Sequence, residues 1–225
     1  MRSLFVILFL VFSGCTSFPI QIEEYPLIED SELTPSVLVA FPISGRYLKQ
    51  FDECLGGEIV CMDPAPQAIK YNNELLVYGA KLPSSLEIAT TSHYGLRMFN
   101  FDANAPELIL VGSKNNRYIL PRYHREPLAK LKSGDYVIPI FSSDVPYWFP
   151  CYLLEKIKPI SLHEWSKYIL GVKEEDADDD IRKSKYISLE NGVFMPTHGI
   201  SINDISGILD ERSPSMQEFS CEKAT

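Results

Sequence analysis

Long apolar runs are scarce in this chain. After residues 4–12, no stretch approaches the roughly 20 apolar residues that a membrane-spanning helix needs, which argues against a polytopic membrane protein. Positive charge is also low, because 21 Lys and Arg face 30 Asp and Glu for a net charge of -9. This excess of negative charge disfavours general binding to nucleic acid. None of the Asn residues starts an Asn-X-Ser/Thr acceptor, which agrees with a product that carries no N-linked glycan.

Catalytic and cofactor motifs are missing as well. We find no convincing G-x-S-x-G, S-x-x-K or active-site cysteine signature. The four histidines form neither an H-x-x-x-H nor an H-E-x-x-H pair, so the sequence predicts no metal site and no cofactor. One catalytic alternative stays open, in which Cys151 pairs with His163 or His198 after folding. The sequence therefore favours a non-catalytic role.

The first residues have the layout of an export signal. Arg2 supplies a positive charge, residues 4–12 form an unbroken apolar run, and Ser13-Gly14-Cys15 follows. This small-small-Cys ending resembles the lipobox of bacterial lipoproteins, with Phe12 where Leu is usual. The resemblance implies that residues 1–14 are removed and that Cys15 becomes the lipid-carrying first residue, anchored in a membrane. The alternative is plain secretion, with cleavage near Ser13 or Gly14; an uncleaved spanning anchor is disfavoured by the shortness of the run.

The lipoprotein resemblance also bears on location and on the next segment of the chain. Thr16 follows the cysteine, where an Asp would resemble the inner-membrane retention signal of this class; its absence favours the outer membrane if the organism is Gram-negative. Residues 15–34 are then the lipidated N-terminus and an acidic, proline-containing tether. We place a mostly β domain at 35–160, and a helix, acidic loop, hairpin and tail packed on it at 161–225.

Four further cysteines lie behind the anchor. An even number in an oxidising compartment predicts disulfides, and we expect the pairs Cys54–Cys61 and Cys151–Cys221. The second bridge would close a long loop and, on the chain-entropy model, stabilise the fold by roughly 4 kcal/mol. A C-x6-C spacing without a nearby His pair does not fit zinc. Free buried thiols are the alternative.

Strand patterns dominate the body of the chain. Twelve Tyr and twelve Phe favour β-structure, and Ser36–Phe41 is an apolar strand that ends before a proline. Hairpins are predicted at 68–78, turning at Asn72-Asn73, and at 185–195, turning at Asn191-Gly192. Strands are also predicted at 108–111 and 117–120, with a turn over 112–116 between them. The predicted fold class is mostly β, a small β-barrel or a sandwich-like antiparallel sheet, with short C-terminal helices.

Two short motifs support β-architecture and carry no function. Leu131–Val137 follows the L-x-x-G-D-x-V pattern, which resembles the turn that feeds a strand in small SH3-like barrels. Ser44-Gly45-Arg46-Tyr47 resembles the Gly-x-aromatic opening of lipocalin-type barrels, with Tyr in place of Trp.

Helix signals occur late in the chain. Ser161 and Glu164 make a capping box, and Leu162, Trp165 and Ile169 share one face of the helix that this box predicts. Ser213-Pro214 predicts the start of a final short helix.

Two charged stretches are candidate sites. The run 174–180 places Asp176, Asp178 and Asp180 at alternate positions, as in a calcium loop, but Ile181 stands where that loop needs Gly. A solvated loop or helix start is the favoured interpretation. The other stretch, 114–132, is locally basic and interleaved with aromatics. It gives a candidate anion-binding patch with these members: Arg117, Arg122, Arg125, Tyr118 and Tyr123. The alternative is that neighbouring strand positions point these charges to opposite sides.

The functional prediction is a cell-envelope lipoprotein that acts as a non-catalytic binding or interaction module. The membrane, reached through the lipid on Cys15, and an envelope polymer or protein are the expected partners. A secreted or periplasmic hydrolase whose site assembles only in the fold is one alternative. An aromatic edge at 146–150 is a candidate contact for carbohydrate or peptide in the binding module. A structural assembly subunit is the other alternative, and an exposed strand edge would favour it.

Overall fold

The computed structural model describes residues 21–211 apart from 50–63, 94–95, 97–98, 100, 102–104, 122–123, 142–154 and 167–170. Five cysteines lie outside these residues: Cys15, Cys54, Cys61, Cys151 and Cys221. So do the aromatic edge at 146–150 and the helix start at Ser213. The disulfide and lipidation predictions therefore stay predictions.

Strands make up most of the described secondary structure, and the predicted mostly β fold is confirmed. The strands are β1 (Thr34–Tyr47), β2 (Ala65–Gly79), β3 (Ser85–Ser92), β4 (Glu107–Lys114), β5 (Arg117–Ile119), β6 (Arg125–Pro127), β7 (Ala129–Lys130), β8 (Tyr136–Pro139), β9 (Lys158–Pro159), β10 (Val172–Lys173), β11 (Ile187–Glu190), β12 (Val193–Pro196) and β13 (His198–Ser201). The helices are α1 (Asp179–Lys183) and α2 (Ile202–Glu211), and single 3-10 turns cover Asp30–Glu32, Leu162–Glu164 and Glu174–Asp176.

Five strands close into a barrel. Their order is β1-β2-β3-β5-β4, and β1 pairs with β4 to complete the ring. All neighbours are antiparallel except β3 and β5, which are parallel where Ala89 faces Ile119. Of the two architectures predicted from the sequence, the structure is the barrel.

The barrel has two cores because its strands are apolar on both faces. One face points inward, where residues such as Ile69, Ile88 and Ile109 fill the interior. The other face of β1 and β4 lies under a second sheet, in the order β7-β8-β13-β9, and under α2. Continuous apolar runs at 36–41 and 108–111 fit strands that are covered on both sides. A third sheet, β10-β12-β11, contains the hairpin that turns at Asn191-Gly192.

Of the two predicted hairpins, the one at 185–195 is confirmed and the one at 68–78 is wrong, and the turn predicted within 112–116 is confirmed. Asn115-Asn116 and Asn191-Gly192 both take positive φ and connect paired strands, although the first turn is shorter than predicted. Asn72-Asn73, by contrast, lies inside the single long strand β2, where Asn72 pairs with Phe41 on one side and Ser85 on the other. Because β1 is long enough to pair along all of β2, cross-strand bonds hold this Asn pair extended.

β1 is longer than its apolar run indicated. It continues through Pro42 to Tyr47, pairing with β2 to the end. Its pairing with β4 stops at Ala40, so Pro42 lies where β1 is registered with β2 alone, and a missing N–H is tolerated at such an edge. Gly45 faces inward here: a Cβ on it would come within 2.7 Å of Leu96 and 2.8 Å of Ile69.

The C-terminal elements differ partly from their prediction. The capping box at Ser161 and Glu164 is present, but it starts a single 3-10 turn and the chain is extended again at Trp165. Asp178 caps α1 by accepting a hydrogen bond from the Ile181 amide at 2.8 Å, so the acidic run contains a helix start. The turn before β8 has Gly134 at positive φ, as the L-x-x-G-D-x-V pattern predicts, although β8 belongs to the second sheet.

Candidate binding surface

The described members of the predicted anion patch lie on opposite sides of the barrel wall. Arg117 faces Lys114 and Arg125 faces Ile109 across β4, so five residues or roughly 17 Å of strand separate them. Since successive residues of a strand point to alternate faces, the odd offset sends the two side chains to opposite faces. Tyr118 packs partly buried against the barrel's inner cluster. The structure therefore does not bring Arg117 and Arg125 together; Arg122 and Tyr123 lie outside the described residues.

Arg125 belongs to a buried polar group inside the barrel. Its Nη1 lies 3.3 Å from Glu107 Oε1, and its guanidinium stacks over the Phe99 ring at 4.3 Å. The Tyr71 hydroxyl donates to Glu107 Oε2 at 2.9 Å. Burial raises the pKa of Glu107, and the opposing influences of Arg125 and Tyr71 do not cancel that effect. This arrangement satisfies an internal ion pair and leaves Arg125 unsuited to an external ligand.

Other cations of the basic stretch are also engaged. Lys114 forms an ion pair with Glu32, and Lys130 lies 3.4 Å from Glu74 and 3.1 Å from the Tyr136 hydroxyl. Arg117 alone among the described patch residues is both strongly exposed and on the outer side of the barrel. Lys114, Arg125 and Lys130 are thus each paired with a carboxylate that is distant in sequence.

A different pair of charged residues holds a piece of main chain on the barrel's outer face. Arg46 on β1 and Glu87 on β3 form an ion pair at 3.2 Å. Glu87 Oε2 accepts a hydrogen bond from the amide of Ile22 at 2.8 Å, and Arg46 donates to the carbonyl oxygen of the same residue. We call Arg46 and Glu87 the clamp. It engages both polar groups of one peptide residue, as a neighbouring strand would.

Apolar contacts accompany the clamp. Ile22 and Tyr25 pack against a small cluster formed by Leu48, Ala68 and Ala89. Arg46, Ala68 and Ala89 are neighbours across three adjacent strands and therefore share one face. The two small alanines leave room above the strands, which the Ile22 and Tyr25 side chains fill. Burial, with a smaller contribution from Asp30, raises the pKa of Tyr25.

The residues held in this way form the N-terminal segment, residues 21–27. Its Glu23 carbonyl also accepts a hydrogen bond from the Lys49 amide at 3.1 Å, and Pro26 is buried. Leu27 is 95% exposed, so the contacts end there. These residues fall in the stretch predicted as a tether, and the structure places them on the surface of the barrel.

A depression runs between the N-terminal segment and the β4–β5 turn. The segment, Asn116 and Arg117 line it. Glu23 and Glu24 are exposed members of the same lining. Arg117 therefore lies beside the acidic residues of the chain's own N-terminal segment, and its charge is complementary to theirs.

The described histidines have local partners. His163 Nδ1 is 2.8 Å from Ser161 Oγ, but both residues lie on the exposed, capped 3-10 turn. His198 Nδ1 is 2.8 Å from the neighbouring Thr197 hydroxyl. The Ser161–His163 contact thus belongs to a helix cap, and the depressions beside Arg117, Lys81 and Arg182 contain neither residue. Among the described residues, no group of three or more His, Cys, Asp or Glu could hold a metal ion.

The exposed edge of β2 bears on assembly. β3 pairs with β2 only up to Asn72, so Leu75 and Leu76 have β1 as their registered neighbour, and they are 44% and 40% exposed. Glu74 lies beside them at a register shift. This edge is short, is interrupted by register shifts and carries the charged residue Glu74. Such features discourage edge-to-edge pairing.

The clamp was not predicted from the sequence. Arg46 lies in the Ser44–Tyr47 motif and Glu87 in an alternating strand, but 41 positions separate them and no local pattern joins them. The alternation of Leu86, Glu87 and Ile88 indicated only that Glu87 faces outward.

Comparison with protein-family models, curated proteins and solved structures gives no match. In the part of the chain that the structure describes, no helix has both the length and the apolar character needed to cross a membrane.

Proposed function

We propose that this protein is a cell-envelope lipoprotein whose barrel serves as a non-catalytic binding module, with the clamp face as its binding surface. The clamp face comprises Arg46, Leu48, Ala68, Glu87 and Ala89. One observation carries the proposal: this face already holds a segment of chain through main-chain hydrogen bonds and two side-chain contacts.

The architecture supports the same surface. The strand order β1-β2-β3-β5-β4, closed between β1 and β4, resembles that of OB-type barrels, in which the face of strands 2 and 3 binds oligonucleotides and oligosaccharides. This support is a fold-level analogy, since a fold does not fix a function. The second sheet and α2 cover the outer side of β1 and β4 instead. The face of β2 and β3 is the side of the barrel on which Ala68, Ala89 and the clamp lie.

The envelope location rests on the signal-like N-terminus and Cys15. Metabolic labelling with a fatty-acid analogue tests it: we expect label on the wild type and none on Cys15→Ser. Label retained by Cys15→Ser, or absent from both proteins, would contradict the lipoprotein assignment.

Photo-crosslinking in cells tests the binding surface. Lys70 is exposed on β2 and faces Glu87 across the sheet, so a photoreactive residue there lies beside the clamp. Lys183 on α1 is a matched exposed control. We expect defined envelope adducts from position 70 and none from 183, and a reduced yield when Glu87→Ala is added. Equal adducts from both positions would argue against a specific surface.

A further inference from the structure

We propose that the clamp face is a site for an acidic peptide and that the N-terminal segment is its displaceable intramolecular occupant. This inference rests on the proposed binding function and names the class of its ligand. The peptide carries a branched aliphatic residue and, three positions later, a Tyr-Pro pair, with acidic residues between them. In this chain that pattern is Ile22-Glu23-Glu24-Tyr25-Pro26.

The polar contacts define the ligand as a polypeptide. Glu87 accepts from an amide N–H and Arg46 donates to a carbonyl oxygen of one residue, a donor–acceptor pair that every peptide unit other than proline offers. A second main-chain contact, from the Lys49 amide to the Glu23 carbonyl, involves the next residue of the same segment. Main-chain recognition of this kind gives affinity without dependence on side-chain sequence.

The apolar and charged surroundings supply the selectivity. Ala68 and Ala89 have small side chains, so the space above them accepts the side chains at the first and fourth positions of the pattern. Arg117 lines the depression that also contains Glu23 and Glu24, where its positive charge favours acidic residues between those two positions. Arg117, which is exposed and faces outward, thereby acquires a role at this site.

The N-terminal segment makes few enough contacts with the clamp face for a free peptide to replace it. The clamp side chains are 34% and 20% exposed, Glu23 and Glu24 are exposed, and the segment's last residue, Leu27, is almost fully solvated. An ion pair accessible to water and salt contributes little to holding the segment in place. Covalent attachment instead holds the segment at the face through a high effective concentration, which a free peptide must overcome.

A peptide titration tests this competition. The probe is a fluorescein-labelled, end-capped peptide with the sequence of residues 21–28, added to the full chain purified in detergent and followed by fluorescence anisotropy. In the double variant Ile22→Asp/Tyr25→Ala the occupant loses both apolar contacts while the face stays intact. We expect this variant to bind the probe at least about tenfold more tightly than the wild type, because the fraction of open sites rises.

Matched variants distinguish binding of the probe at the clamp face from other effects of the substitutions. Leu27→Ala changes an exposed residue of the same segment and should leave probe affinity unchanged. Adding Glu87→Ala to the double variant should weaken binding about tenfold by removing the acceptor for the peptide amide. A probe with Asp and Ala at its Ile and Tyr positions should bind no variant. Should the double variant fold poorly by circular dichroism, Tyr25→Ala alone provides the same comparison with a smaller gain.

Two results would overturn the inference. One is equal probe affinity in the wild type and the opened variant. The other is binding that persists unchanged after Glu87→Ala, which would place the peptide elsewhere. Because the titration uses purified protein, its failure leaves the lipid-labelling and crosslinking results standing and remains distinguishable from failure of the proposed function.

Discussion

Arg125 is a cation enclosed by the barrel, where it forms an ion pair with Glu107. Burial and this ion pair together set the pKa of Glu107. Burial raises the pKa of Glu107, and Arg125 is the larger of the two influences that lower it. A raised carboxyl pKa means that the folded state holds the proton more tightly than the unfolded state. Ionisation of Glu107 therefore costs stability as the pH rises from the unfolded pKa, near 4.5, through the folded one.

Arg125→Gln should expose this dependence. Without the guanidinium, an ionised Glu107 is left uncompensated, and we expect the free energy of unfolding at pH 8 to fall by about 2–4 kcal/mol. At pH 5 the loss should be smaller, since burial raises the pKa of Glu107 and a larger fraction of this carboxyl is protonated at pH 5 than at pH 8. Arg117→Gln, on the exposed outer side, should change stability by less than about 0.5 kcal/mol at either pH. Urea unfolding at both pH values measures these differences, and a loss from Arg125→Gln that is independent of pH would contradict the assignment.

Turns and strands of this protein show how the same dipeptide takes two conformations. Asn115-Asn116 forms a tight turn with φ of 51° and 59°, whereas Asn72-Asn73 is extended within β2. The Asn73 amide bonds to the Ser84 carbonyl at 2.8 Å, and β1 and β3 flank Asn72. Pairing with distant strands thus overrides the local turn preference at one site and not at the other.

Alanine substitutions at the two sites should separate these effects. Asn116→Ala places a residue without a local polar side chain in the left-handed region, and we expect a loss of about 1 kcal/mol in unfolding free energy. Asn72→Ala, at an exposed strand position, should cost less than about 0.5 kcal/mol. Thermal and urea unfolding of both variants provide the measurement. A larger loss at Asn72 than at Asn116 would reverse the expected order.

The elements that could be predicted from the sequence are those whose signals come from residues close together in the chain. Asn191-Gly192 identified its turn, and Ser161 with Glu164 identified its cap, because each signal lies within four residues. α2 had a usable signal, since Ile202, Ile205 and Leu209 recur at helical spacing, but its shortness and Gly207 obscured it. The clamp and the closure of β1 on β4 had none, because they depend on register between segments far apart in the chain.

On the scale of the whole molecule, one hydrophobic cluster joins the barrel to the C-terminal elements. Val37 and Leu110 from the barrel pack with Ile138 and Ile200 of the second sheet and with Ile205 of α2. β8 precedes residue 160 and β13 follows it, yet the two pair directly. A boundary drawn in the sequence at 160 therefore crosses a single sheet and a single core.

Ile205→Ala tests whether these parts unfold together. Ile205 is fully buried between the barrel and the second sheet, and truncating it should cost about 2–5 kcal/mol. In a Trp148→Phe background, the fluorescence of Trp165 reports on the second sheet, where that side chain packs with Ala129 and Val137. Far-UV circular dichroism reports on all strands, and the five barrel strands contain most of the described strand residues. We expect Ile205→Ala to move the urea midpoints of the fluorescence and the dichroism down by the same amount. In Ile205→Ala and in its Trp148→Phe parent the two midpoints should coincide, since one shared core gives one cooperative transition. If Trp165 reported an earlier transition while the dichroism midpoint stayed in place, the cluster would join two independently folding units.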